Sequence, residues 1–209
     1  MEKASSAVSL RLTLDKKLFF PFTPLLQQGV MLKVHVGCSL STLLVDQLGL
    51  KPEYMKERIK TIFLEGNPVD DLETALVKDG SVVALSAAMP GLAGATLRRG
   101  GFFAGMRSPI IQREMIPPIL SEDGFVVVKL FNLLIRELGS ILLERGVFFP
   151  PNDFGEFLKS LPDEFWKGCK EIKVDGEEKD EVQLRNLSWL SQAGGILLSV
   201  HFIVNGLTK

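Results

Sequence analysis

The sequence predicts an α+β chain in two parts, a strand-rich first half followed by a helix-rich second half, on three observations. Apolar and polar residues alternate over Val8, Leu10, Leu12 and Leu14, and again over Leu32, Val34 and Val36, the period of half-buried strands. Leu40, Leu43, Leu44 and Leu48 recur at helical spacing between a serine N-cap (Ser39 or Ser41) and Gly49, which closes the helix. Phe125 to Leu143 is a nearly continuous apolar run that follows Ser121-Glu122-Asp123 and ends at Gly146. It reads as a long core helix with acidic residues in its first turn.

Between the two alternating strands, Leu18 to Leu26 holds two prolines and reads as an apolar loop. Pro52 opens a short second helix over 51–60, and Thr61 to Leu64 is a strand. Gly66-Asn67-Pro68 and Lys78-Asp79-Gly80 turn the chain, and Ser81 to Met89 supplies a further β segment. In the second half, Pro150-Pro151-Asn152-Asp153 introduces a helix that places Phe154, Phe157, Leu158 and Leu161 inward and ends near Pro162. Ile172 to Val174, with Asp175-Gly176 behind it, reads as a hairpin strand, and Ile196 to Val204 as a buried final strand. Glu181 to Gln192 fits either helix or strand. No internal repeat is visible.

These elements predict a first domain over 1–91, a glycine- and arginine-rich connecting strip over 92–113, and a helix-rich α+β domain over 114–209. In the first domain, Leu10, Leu12, Val34 and Val36 are expected to share a core with Leu44.

Composition narrows the function classes. The 209 residues are 46% apolar and 23% charged, with net charge −1, which excludes a generally basic nucleic-acid binder. Residues 1–110 carry 13 Lys/Arg against 10 Asp/Glu, and residues 111–209 carry 11 against 15. Lys129, Asn132, Arg136 and Glu137 interrupt the apolar run over 125–143, so it is not a membrane span. The N-terminal residues lack a secretion signal, and the expected compartment is the cytoplasm. Fourteen phenylalanines and a mean hydropathy of +0.21 point to a protein partner or to self-association. Phe19, Phe20, Phe22, Phe102, Phe103, Phe148 and Phe149 are the residues expected at such a homo-oligomeric contact.

Strand, strand, helix, strand, turn, strand is the order of the β-grasp. Val36 to Leu50 (VGCSLSTLLVDQLGL), Phe63 to Asp71 (FLEGNPVDD) and Leu76 to Gly91 (LVKDGSVVALSAAMPG) resemble the helix, middle strand and closing strand of the sulfur carriers of thiamin and molybdopterin synthesis. The resemblance covers about residues 8–91 and implies a ubiquitin-like first domain. Those carriers end in a free Gly-Gly carboxylate that is adenylated and thiolated, whereas this chain continues past Gly91 to Lys209. The carrier reaction therefore has no reacting atom in the intact chain.

The chemical constellations are few, and no catalytic residue, metal ligand set or cofactor is predicted. His35 and His201 each lie within an alternating strand, where a single histidine is a surface or core residue. Cys38 at a helix N-terminus is the one cysteine with a route to enhanced thiolate character; Cys38 and Cys169 lack metal-site spacing. The acidic run DGEEKDE over 175–181 lacks the spacing and closing glutamate of a calcium loop.

The strip over 91–113 (GLAGATLRRGGFFAGMRSPIIQR) stands out, because no acidic residue occurs between Asp79 and Glu114. Arg98, Arg99, Gly100, Gly101, Arg107 and Arg113 are the candidate partner- or anion-binding residues: glycines admit close approach, and arginine forks match phosphate or carboxylate. Neither a P-loop nor a dinucleotide fingerprint is present. The expected function is a non-enzymatic interaction or scaffold protein, with a small anion as a further ligand. Two alternatives stand beside it. Leu97-Arg98-Arg99-Gly100-Gly101 resembles the ubiquitin-type tail and implies a modifier or sulfur-carrier precursor cleaved after Gly101. An anion site at the strip would instead serve a metabolite-binding enzyme.

Overall fold

The protein is described by a computed structural model covering residues 7–88, 91–99 and 122–204. In chain order, β1 (Ala7–Asp15) leads into a 3-10 turn (Lys16–Phe22) and α1 (Thr23–Gln28). β2 (Val30–Val36) and β3 (Cys38–Ser39) precede α2 (Leu40–Thr42), which continues as a π-helical turn (Leu43–Gln47). Next come α3 (Pro52–Arg58), β4 (Thr61–Leu64), β5 (Asn67–Pro68), β6 (Leu76–Val77), β7 (Val82–Ser86) and α4 (Gly91–Leu97). β8 (Glu122–Phe131), α5 (Leu134–Arg145), β9 (Val147–Phe149), α6 (Pro151–Ser160) and α7 (Asp163–Lys167) follow. The chain then runs through β10 (Cys169–Val174), β11 (Glu177–Glu178), α8 (Glu181–Arg185), a second 3-10 turn (Leu187–Gln192) and β12 (Gly195–Ile203).

The fold is α+β with mixed strand pairing, and its contacts divide it into two compact units. Unit 1 joins residues 1–25 to 138–209, and unit 2 spans 26–137.

In unit 2 the strands lie in the order β2-β8-β7-β4-β5. β8 pairs antiparallel with β2, from Val30↔Val128 to Val36↔Glu122, and parallel with β7, from Val82↔Val127 to Ser86↔Phe131. β7 is antiparallel to β4, and β4 to β5. One side of these strands buries Val30, Leu32, Val34, Val36, Val83, Leu85, Val126, Val128 and Leu130. The segment between β2 and β4 adds Leu40, Leu43, Leu44, Leu48, Met55 and Ile59 to the buried set. Ser39 caps α2, its side chain accepting from Thr42 N at 3.1 Å. The π turn arises where Leu48 N donates to Leu43 O and Leu50 N to Leu44 O, which widens the last turn before Gly49 (φ +71°).

Unit 1 has the order β11-β10-β1-β12-β9. β1 and β12 run parallel over nine residue pairs, β10 is antiparallel to β1, and β9 is antiparallel to β12. Leu10, Leu12 and Leu14 on β1 and Ile196, Leu198 and Val200 on β12 are fully buried. An aromatic cluster fills the same core. Phe22 lies 5.5 Å from Phe157, 5.9 Å from Phe165 and 6.0 Å from Phe202 by ring centroids, and Phe154 abuts Phe149 and Trp189.

The two units repeat one arrangement. In each, a parallel central pair (β1 with β12, β7 with β8) is flanked by antiparallel strands, and a helical segment (α6 and α7, or α2 to α3) links an outer strand on one side to a strand on the other. The sequence hides this repeat because the strand matching β7 is supplied to unit 1 from the N-terminus.

Several boundaries differ from those read in the sequence. β1, assigned to a first domain over 1–91, pairs with β10 and β12, so that Leu10 and Leu12 belong to unit 1 while Val34, Val36 and Leu44 belong to unit 2. The place beside β2 is held by β8. The second half is α+β and also contributes five strands, β8 to β12, alongside its helices. Residues 122–131, read as the start of a core helix, form a strand. Three consecutive β-branched residues, Val126 to Val128, favour it, and its second face (Phe125, Val127, Phe131) is also apolar and half-buried, which erases the two-residue contrast. Asn132 (φ +57°) turns the chain, and its amide donates to Ser86 Oγ at 3.1 Å, so that the helix begins only at Leu134. Pro150 caps α6 without a side-chain bond, and the Glu181–Gln192 segment is helical, opened by a capping box between Asp180 and Gln183. Of the phenylalanines expected at a self-association contact, Phe22 and Phe149 are core residues, Phe19 packs on Phe202, Phe148 is half-buried and Phe20 is exposed. Phe102 and Phe103 lie outside the described residues.

Gly195 and Phe148 give a direct test of unit 1. A Cβ on Gly195 would stand 2.1 Å from the tip of the Phe148 ring. Gly195→Ala is expected to destabilise the protein by about 1–3 kcal/mol, and Phe148→Ala in the same chain to recover part of that loss. Chemical denaturation of the single and double variants checks it.

Candidate interaction surface

Two of the six strip residues, Arg98 and Arg99, lie within the described part of the chain; Gly100, Gly101, Arg107 and Arg113 lie outside it. The described pair divides in role. Arg99 is half-buried after α4; its backbone N–H donates to Lys60 O at 2.8 Å and its guanidinium to Met55 O at 3.4 Å. Burial pulls that guanidinium below its ordinary value, and Asp70 offsets part of the effect. Arg99 thus pins the end of α4 to α3. Arg98, one residue earlier, is exposed.

The surroundings of this corner come from α3. Pro52 starts α3 at a position that needs no donor, and Lys56 and Arg58 lie in its last turn, where cations complement the helix dipole. Tyr54 and Arg58, one turn apart, both reach Glu137. The tyrosine hydroxyl donates to Glu137 Oε2 at 2.7 Å, Arg58 Nε donates to the same oxygen at 3.2 Å, and Arg58 Nη2 pairs with Oε1. Arg58, and then Tyr54, hold the Glu137 carboxyl below its ordinary value. Burial and then Glu137 push the Tyr54 phenol well above its own. Sequence reasoning missed this clamp. The Tyr54–Arg58 spacing is its local sign, but its third member is 79 residues from Arg58.

The other titratable residues singled out from the sequence are held in structural contacts. His35 points its Nδ1 at Asp123 Oδ1 (3.1 Å), and Lys33 Nζ reaches the other oxygen of the same carboxylate, Oδ2, at 2.8 Å. Cys38 donates to His35 O at 3.4 Å and accepts from Gln47 Nε2 at 3.4 Å, while burial raises its pKa. It is a thiol rather than an activated thiolate, and the His35 ring is engaged elsewhere. Burial pushes the Cys169 thiol up to about 11. His201 is exposed on β12 opposite Thr13. The acidic run is used piece by piece: Asp175 Oδ1 accepts from Ser9 N at 2.8 Å, Glu177 pairs with Lys179, Asp180 caps α8, and Glu181 pairs with Arg185. Among the described residues no group of three His, Cys, Asp or Glu is placed to hold a metal ion.

A cleft of about 380 Å³ opens between α6 and the second 3-10 turn, with Leu187 and Leu190 on one side and Asn152, Asp153, Glu156 and Lys159 on the other. Glu156 and Lys159 neutralise each other at 2.9 Å.

The clamp predicts a pH dependence with a definite sign. Because the folded state depresses the Glu137 carboxyl, the contribution is present above the unfolded value of about 4.3 and is lost as pH falls through the folded value. Glu137→Gln should lower the melting temperature by a few degrees at neutral pH, and the difference from the parent should shrink below about pH 4. Thermal melts across that range check it. No family model, curated protein or solved structure matches this chain.

Proposed function

We propose that the chain is a non-enzymatic interaction protein whose recognition is carried by the exposed cationic corner of unit 2 at Arg98. The carrying observation is the division between neighbours: Arg99 is consumed by contacts to Lys60 and Met55, whereas Arg98 faces solvent in a stretch that lacks local carboxylates. An unanswered guanidinium of this kind suits an acidic protein surface or a second copy of this chain. The order strand, helix, strand, turn, strand over β2 to β7 supports a β-grasp-like reading of unit 2, with β8 in the place expected of β1. The titratable groups near the corner serve a clamp and a helix end, which favours binding over catalysis.

The precursor reading is weaker on one specific ground. β8 lies beyond Gly101 and pairs with β2 on one side and β7 on the other. Removing the chain after Gly101 would take away β8 with its fully buried Val126, Val128 and Leu130 and strip both strands of a partner.

The two arginines are expected to respond differently. Arg99→Ala should lower the melting temperature by several degrees, because the half-buried side chain and its guanidinium bond to Met55 O are lost. Arg98→Glu should leave it within about a degree of the parent, as surface substitutions do. Light scattering and crosslinking of the full chain test recognition: loss of salt-sensitive association with Arg98→Glu at unchanged stability is the expected result. Association that survives Arg98→Glu overturns the reading.

A further inference from the structure

A second surface lies in unit 1, where three strand ends meet. The 3-10 turn Lys16–Phe22 leaves the end of β1. β12 ends beside it, since Asp15 pairs with Ile203, and β10 begins beside it, since Leu14 pairs with Cys169. The turn is fixed from below. Phe22 is fully buried among Phe157, Phe165 and Phe202, and Phe19 stands edge-on to Phe202 at 5.6 Å. Asp15 caps the turn through Lys17 N at 3.0 Å, and Pro21 stiffens it.

These anchors hold Phe20 outward at 76% exposure, the most exposed of the aromatic side chains in the large apolar set, with Val204 at 74% beside the strand end. Around them stand exposed Lys16 and Lys17 on the turn and Lys167 and Lys170 on either side of Gly168, whose backbone abuts the Leu18 side chain. Among the described residues none of these four side chains has a carboxylate partner. A rigid apolar tip ringed by free lysines therefore projects from one end of the unit.

We propose that this tip adsorbs to an anionic phospholipid surface, Phe20 entering the boundary between headgroups and acyl chains while the lysines meet the phosphates and carboxylates. The apolar area favours that occupant: Phe20 and Val204 together offer roughly 300 Å², less than the apolar part of a standard protein interface of about 800 Å² per partner. Shallow insertion of one aromatic ring with surrounding cations is sufficient for reversible membrane contact. This is peripheral adsorption: no helix among the described residues is long and apolar enough to cross a membrane.

The test uses the full chain and large vesicles made of one part phosphatidylserine to two parts phosphatidylcholine, with pure phosphatidylcholine vesicles in parallel. Cosedimentation is expected with the first and not the second, and it should fall steeply as salt rises past about 0.5 M. Phe20→Ser should weaken partitioning about tenfold. Lys16→Glu with Lys17→Glu should weaken it at least tenfold, each lysine near an anionic surface being worth roughly fivefold. Both variants should keep the parent melting temperature. Equal binding to the two vesicle types, no binding to either, or binding indifferent to Phe20→Ser overturns the proposal, the last because it leaves only nonspecific attraction between charges. A change of oligomeric state on Phe20→Ser in the absence of lipid also overturns it, since the tip would then be a contact between copies.

Discussion

Both units depend on a central parallel strand pair whose members are distant in sequence. β7 and β8 are separated by α4 and the whole strip, and β1 and β12 come from opposite ends of the chain. Parallel strands are stable only when both are covered and flanked, because their bonds are slanted and their faces buried. The antiparallel neighbours supply the flanks: β2 and β4 in unit 2, β9 and β10 in unit 1. Until the distant partner arrives, β2 lacks its partner β8, β9 lacks β12, and the leucines and valines of the centre stay partly uncovered. Closure of the pair is consequently the event that converts local strands into a core, and it carries the loop-closure cost of a long separation.

This constraint explains which parts of the fold are legible in the sequence. Local signals hold well. Ser39 and Gly49 bound the α2 region, Pro52 starts α3, Gly146 follows α5, and the Asp175-Gly176 turn joins β10 to β11, because caps and turns are decided by bonds within a few residues. Partners are not local. β1 and β2 both alternate, and adjacency in sequence suggests a shared core, but alternation says only which side chains face inward, not which strand lies alongside. The repeat was invisible for the same reason, since unit 1 takes its β7 counterpart from the N-terminus.

β8 shows a different loss of information. A strand with one wet face advertises itself by alternation, whereas one with two apolar faces reads as a continuous apolar run, which a buried helix also produces. Lys129 and Asn132 interrupt that apolar run: Lys129 belongs to the half-buried strand face and Asn132 is the left-handed turn that ends the strand. The run of three valines was the available signal, and it argued for β structure.

Charge divides between groups that the fold consumes and groups that it leaves over, and the candidate surfaces lie with the second kind. Glu137 answers Arg58 and Tyr54, Asp123 answers Lys33 and His35, and Arg185 is answered twice, by Asp163 and Glu181. Such pairs are partly exposed and contribute modestly to stability, but they cancel fields that would otherwise reach outward. Arg99 is spent in the same sense on carbonyl oxygens. Arg98 in unit 2 and the lysines around Phe20 in unit 1 are among the exposed cations that no described carboxylate pairs with. Adjacent residues of one type, Arg98 and Arg99, therefore have opposite standing: the second is held by its backbone bond to Lys60 and its guanidinium contact to Met55, and the first lies in water.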